Sequence, residues 1–176
     1  MNHLLDLIGS YIIGGFLLVA LLGLTLHFST KSQEVKLSEI TLRSLNDVGM
    51  VIEHDFTKLG YRVESGSKIV SISSNQIVFL SDLNNDGVID TITYNTYTSN
   101  DSLYLTRNAS YLAQPQWLIP VKDFEVEGLD GIGSQTGDIN EVQSIKLNIV
   151  VEEEGLPDSQ ANIGSYWTRQ FFPKNL

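Results

Sequence analysis

The chain contains no cysteine. Disulfides, thiolate nucleophiles and cysteine-based zinc sites are therefore excluded. No proline occurs before Pro115, so nothing upstream of it forces a helix to break. No lysine or arginine precedes Lys31, and Leu7 to Phe28 holds no Asp, Glu, Lys or Arg at all. Positive charge is scarce throughout: 11 Lys and Arg face 21 Asp and Glu, for a net charge of −10. From Tyr61 onward 7 basic residues face 15 acidic ones. The composition argues against nucleic acid as a partner, because counterion release needs clustered cations. Anionic headgroups are disfavoured for the same reason. The three histidines, His3, His27 and His54, are too far apart in sequence to form a metal cluster, and no G-x-S-x-G elbow is present. Lacking a base–nucleophile or metal–base set, the chain reads as a non-enzyme.

What is present begins with "LIGSYIIGGFLLVALLGLTLHF", Leu7 to Phe28. Its length matches the roughly 20 residues that a helix needs to cross a hydrocarbon core. In lipid a lone segment satisfies its backbone only as a helix, so Gly14, Gly15 and Gly23 are tolerated there. Small residues such as Gly14 and Gly15 also let a second helix approach closely. A signal peptide would carry a basic leader, a shorter core and a small-x-small cleavage site. None of these is seen, which predicts a retained single-pass anchor in contact with the bilayer. Lys31 and Lys36 follow the segment, whereas Asp6 precedes it. Those two cations favour a cytoplasmic C-terminal side. The acidic, Asn/Ser/Thr-rich remainder favours export, and the reading adopted is an extracytoplasmic domain on a bacterial inner membrane.

Beyond Ser29 the pattern stays helical and becomes one-sided. Leu42, Leu45, Gly49, Ile52, Phe56 and Leu59 recur at spacings of three and four, which places them on one stripe. Lys36, Glu39, Arg43, Asn46, Glu53 and Lys58 fall off it, and Gly60 is a candidate C-cap. One helix from about Leu4 to Leu59 is predicted, roughly 80 Å long at 1.5 Å per residue. The stripe spans only about three heptads, so it predicts a core helix covering a sheet rather than a coiled coil.

After Tyr61 the period changes to that of strands. "KIVSISS", "QIVFLSD", "DTITYNTYT", "SLYLTRN", "VKDFEVEGL" and "VQSIKLNIVVE" are short runs rich in β-branched and aromatic residues. "SSN", "NNDG", "SND", "DGIGSQTGD" and "EEGLPDSQ" separate them as turns. Short connections predict an antiparallel meander. The expected fold class is α+β, a long transmembrane-amphipathic helix packed on an antiparallel sheet. Its parts are a membrane-spanning half (1–28), an amphipathic half (29–60) and a β domain (61–176).

One turn carries a metal-like pattern. Asp82, Asn84, Asp86, Gly87 and Asp90 fit the first nine positions of a calcium loop. Alternate hard oxygens suit Ca²⁺, and the glycine permits a sharp bend. The twelfth position is Thr93 where an EF-hand places a bidentate Glu, and the flanks read as strands, so an EF-hand is excluded. Two readings stand: a weak, strand-flanked Ca²⁺ loop, or a tight hairpin turn made by Asn85-Asp86-Gly87 for backbone reasons alone. Asp123, Glu125 and Glu127 alternate along one strand and predict a solvated face, while Tyr94, Tyr97, Tyr104, Tyr111 and Trp117 predict sheet packing in preference to a contact surface.

Three stretches resemble minor pilins and pseudopilins of the type IV pilus and type II secretion kind. "MVIEHDFTKLGYRV" is similar to the end of that family's long helix. "QIVFLSDLNNDGVIDTITYNTYTSNDSLYLTRN" resembles its first strands and Asp/Asn/Gly loop, and "FFPKNL" its short C-terminal ending. The family's basic leader and Gly-Phe-Thr-Leu-Ile-Glu cleavage motif have no counterpart here. The nearest string, Gly15-Phe16-Leu17-Leu18-Val19-Ala20, lacks the Glu. The resemblance implies a structural subunit that packs through its N-terminal helix with other pilin-like subunits or with subunits of a membrane complex. It also implies a place for Asp6, which stands fifth if Met1 is removed, as the carboxylate that pairs with a neighbouring N-terminus. Other readings compatible with the residues are a calcium-dependent adhesion module on a single-helix tether and an accessory subunit of a larger assembly.

Overall fold

The computed structural model describes residues 2–152 and 164–176. The turn expected at 153–160 lies outside the described residues. One helix, α1 (Asn2–Thr57), runs unbroken for 56 residues, about 84 Å at 1.5 Å per residue. No proline interrupts it. It ends as the chain reaches Gly60, whose φ of 74° lies in the left-handed region. A side chain is also barred there by space, since a Cβ on Gly60 would lie 2.7 Å from Lys68 Cγ and 3.0 Å from the Asn175 carbonyl oxygen. The Gly60 amide donates to the Leu80 carbonyl at 2.9 Å, which ties the end of the helix to the sheet below.

Eight strands follow: β1 (Ile69–Ser73), β2 (Gln76–Ser81), β3 (Asp90–Ser99), β4 (Ser102–Ala109), β5 (Gln116–Val121), β6 (Asp123–Leu129), β7 (Ser144–Glu152) and β8 (Gly164–Phe171). They form two antiparallel sheets. The first is a meander in the order β1-β2-β3-β4-β5, and the second has the order β6-β7-β8. The chain crosses between the sheets at Lys122, whose amide donates to the Val150 carbonyl at 2.7 Å. Between β3 and β4 the turn consists of Asn100 and Asp101, at φ 49° and 61°. Both angles match the mirror-image hairpin turn whose twist suits the flanking strands.

The α+β class and the antiparallel pairing follow the sequence expectation, but a single sheet does not. Two strands were not anticipated. The first, β5, contains Pro120, which argues against a strand unless the strand lies at an edge. It does lie at the edge, with Pro120 opposite Tyr104. The second, β8 ("GSYWTRQF"), has no clean apolar alternation, because it too is an outer strand.

The last turns of α1 lie across both sheets. Leu45, Val48, Ile52, Phe56 and Leu59 are buried in one cluster with Phe79, Ile92, Tyr94 and Leu105 of the first sheet and Phe124, Val126, Leu147 and Phe171 of the second. Phe56 is the junction. Its ring lies 5.3 Å from that of Phe79, 5.5 Å from Tyr94 and 5.1 Å from Phe171. Gly49 lets the helix approach β8: a Cβ there would sit 3.1 Å from the indole nitrogen of Trp167. The predicted stripe is thus correct from Leu45 onward. Leu42 is a correction, being 53% exposed because the sheets do not reach that far along the helix.

Replacing Phe56 with Ala should lower stability by about 3–5 kcal/mol, since a large buried ring leaves a cavity. Leu42→Ala should stay within about 0.5 kcal/mol of wild type, as an exposed change. Chemical denaturation of the detergent-solubilised protein, followed by intrinsic fluorescence, measures both.

Candidate functional site

Two surfaces carry the residues singled out in the sequence. The first is the N-terminal part of α1. It is the one helix among the described residues that is long and apolar enough to span a membrane, and its apolar window is wholly unburied within the monomer. Leu7, Ile12, Phe16, Leu18, Leu22 and Phe28 are all more than half exposed. The hydroxyls in this part are satisfied within the helix: Ser10 donates to the Asp6 carbonyl at 2.9 Å and Thr25 to the Leu21 carbonyl at 2.8 Å. That is how lone polar side chains are accommodated where water is absent. Asp6 is exposed. His3, Asp6, Ser10 and Gly14 recur at spacings of three and four and share one side of α1. Gly14 and Gly15 line the same shallow groove as Asp6, together with Tyr11 and Leu18. A Cβ added at either glycine would meet nothing within 4 Å. The groove is therefore open for a neighbouring backbone to enter.

The second surface is the turn between β2 and β3. Asp82 is fully buried, and its two oxygens accept from three donors. Oδ1 accepts the Asp86 amide at 3.1 Å; Oδ2 accepts the Gly87 amide at 3.1 Å and the Arg62 guanidinium at 2.7 Å. Asn84 and Asp86 are exposed and bond each other, and Asp86 Oδ1 also accepts the Val88 amide at 2.7 Å. Asp90 is 4% exposed and leans toward the neighbouring strand, accepting the Ser110 hydroxyl at 2.6 Å. Its second oxygen, Oδ2, is buried with no hydrogen-bond partner. The structure thus keeps Asp82, Asn84 and Asp86 in one hairpin loop and puts Asp90 at the start of β3, paired with Ser81. It gathers no group of three or more His, Asp or Glu suited to a metal ion among the described residues. Any divalent ion at Asp82 would have to compete with Arg62. Removal from water pushes the Asp82 carboxyl up, but Arg62 and the amides of Gly87 and Asn85 together outweigh that and hold it below the usual range. Arg62 itself is raised by the same bond.

No protein-family model, curated protein or solved structure matches the chain.

The polar group that sequence reading missed is the most buried one. Asp55 projects from the final turns of α1 and is 1% exposed. Its Oδ2 accepts the Arg107 Nε at 2.5 Å and the Tyr94 hydroxyl at 2.7 Å. Its Oδ1 lies 3.1 Å from His54 Nδ1. Arg107 also donates to the Tyr111 hydroxyl at 2.9 Å and to Gln116 at 3.0 Å. Burial opposes the charge on Arg107, yet the bonds to Asp55 and Tyr111 outweigh it and hold the proton more firmly than usual. Burial, then the negative charge of Asp55, pushes the Tyr94 phenol well above its ordinary value. A signal for this cluster was present. Asp55 continues the spacing of Ile52 and Leu59, and Arg107 falls between Leu105 and Ala109 on the inward face of β4. Two opposite charges on two apolar faces mark a buried pair.

The remaining residues behave as surface groups. Tyr97 is exposed, whereas Tyr94 lies in the core. Glu125 and Glu127 are half-buried and bridge to β7, Glu127 to Lys146 at 2.7 Å and Glu125 to Asn148 at 3.1 Å. Glu53 pairs with Arg169 of β8.

Asp55→Ala should lower stability by about 3–5 kcal/mol, because it leaves Arg107 charged and unpaired in the core. The double variant Asp55→Leu with Arg107→Met should lose less than the sum of the two single changes. Denaturation curves of the four proteins form the test. On acidification the unfolded chain takes up a proton at residue 82 before the folded chain does, since the folded pKa is the lower. The Asp82 contribution is therefore complete above the ordinary carboxylate range and is lost as pH falls through the depressed value. Melting temperature recorded from pH 6 to pH 2 should fall less steeply in Arg62→Gln than in wild type.

Proposed function

We propose that this chain is a non-enzymatic, membrane-anchored structural subunit of the pilin-like or pseudopilin-like kind, assembled through its N-terminal helix. The observation that carries the reading is the reach of α1 beyond the folded head. Among the described residues the first buried hydrophobic side chain along α1 is Leu45. From Asp6 to Ser44 the helix extends about 58 Å at 1.5 Å per residue, while a hydrocarbon core accounts for about 30 Å. Val35, Ile40 and Leu42 lie exposed on the part that remains outside. An amphipathic rod gains most of its stability by packing its apolar face against a neighbour, and in this reading the neighbours are helices of like kind.

In lipid, apolar side chains offer helices no drive to associate, so close packing at small residues must supply it. Gly14 and Gly15 provide that surface in this reading, with Asp6 at its N-terminal end. The head faces the extracytoplasmic side of a bacterial inner membrane, or the outside of a filament drawn from it. Its polar interior serves to fix the helix, and the reading assigns it no chemical step.

Changing both Gly14 and Gly15 to Leu should abolish the homo-oligomers captured by crosslinking in native membranes. The melting temperature of the head should stay unchanged. An unaltered crosslinking ladder in the double variant would defeat the proposal.

A further inference from the structure

We draw no further inference here: the strongest candidate, the acidic hairpin at residues 82–90 that leads from β2 into the start of β3, is a cluster of carboxylates without a second observation pointing to a ligand, since Asp82 is already bonded by Arg62 and two loop amides and the orphaned oxygen belongs to Asp90, a side chain held toward Ser110 just beyond β4.

Discussion

Everything in the head depends on one turn of helix, where Asp55 and Phe56 stand side by side. Phe56 touches rings from both sheets, and Asp55 accepts hydrogen bonds from Tyr94 and Arg107 of the first. The two residues do different work. A phenyl ring supplies most of the burial energy but tolerates some sliding, because dispersion contacts are non-directional. A carboxylate cut off from water cannot slide. It needs its donors at hydrogen-bond distance, and losing one is expensive. The aromatic contact thus gives the helix adhesion, and the ion pair gives it a fixed axial and rotational setting. Arg107 extends that setting outward to Tyr111 and Gln116, so the far edge of the sheet is held by the same carboxylate.

The remainder of α1 obeys a different solvent. From Leu7 to Phe28 it carries no charged residue and is apolar around most of its circumference. Past Ser29 it carries exposed ion pairs on its own surface, Lys31 with Glu34 and Arg43 with Glu39. Pairs of that spacing contribute only about 0.2–0.5 kcal/mol each, which supports a helix but does not hold it alone. One continuous element therefore suits three environments in turn, with a segment long and apolar enough to span a membrane, a charged solvent-facing stretch and a stripe buried in the protein core. Each is matched by a change in side-chain pattern, with no break in the backbone.

The sequence made these environments legible because each has its own period. The uncharged run to Phe28, the three-and-four spacing from Leu45 to Leu59 and the alternation of β2, β3 and β4 all report one buried side. What it hid lies where one side is not enough. An edge strand such as β5 admits Pro120, and β8 mixes Tyr166 with Thr168 and Arg169 in a polar-looking run. Division into two sheets is equally silent, since the crossing at Lys122 needs no turn residue. At the loop, the pattern of Asp82 to Asp90 was plain, whereas Arg62 was not tied to it by any local rule. That residue sits 20 positions away and reaches Asp82 from the turn after the helix. Long-range charge pairing of this kind has no period to read.

The clamp at Asp55 and Phe56 grips a helix by one end only. Geometry then makes α1 a lever with its fulcrum in the head. A change of roughly 5° in the angle at which the sheets hold it displaces the other end sideways by about 6–7 Å, given an arm of about 75 Å from Phe56 to Asp6 at 1.5 Å per residue. That is about two-thirds of the 8–10 Å that separates the axes of packed helices. A small change in packing around Phe56 is thus amplified into a sideways swing of Asp6 comparable with the gap between one helix and its neighbour.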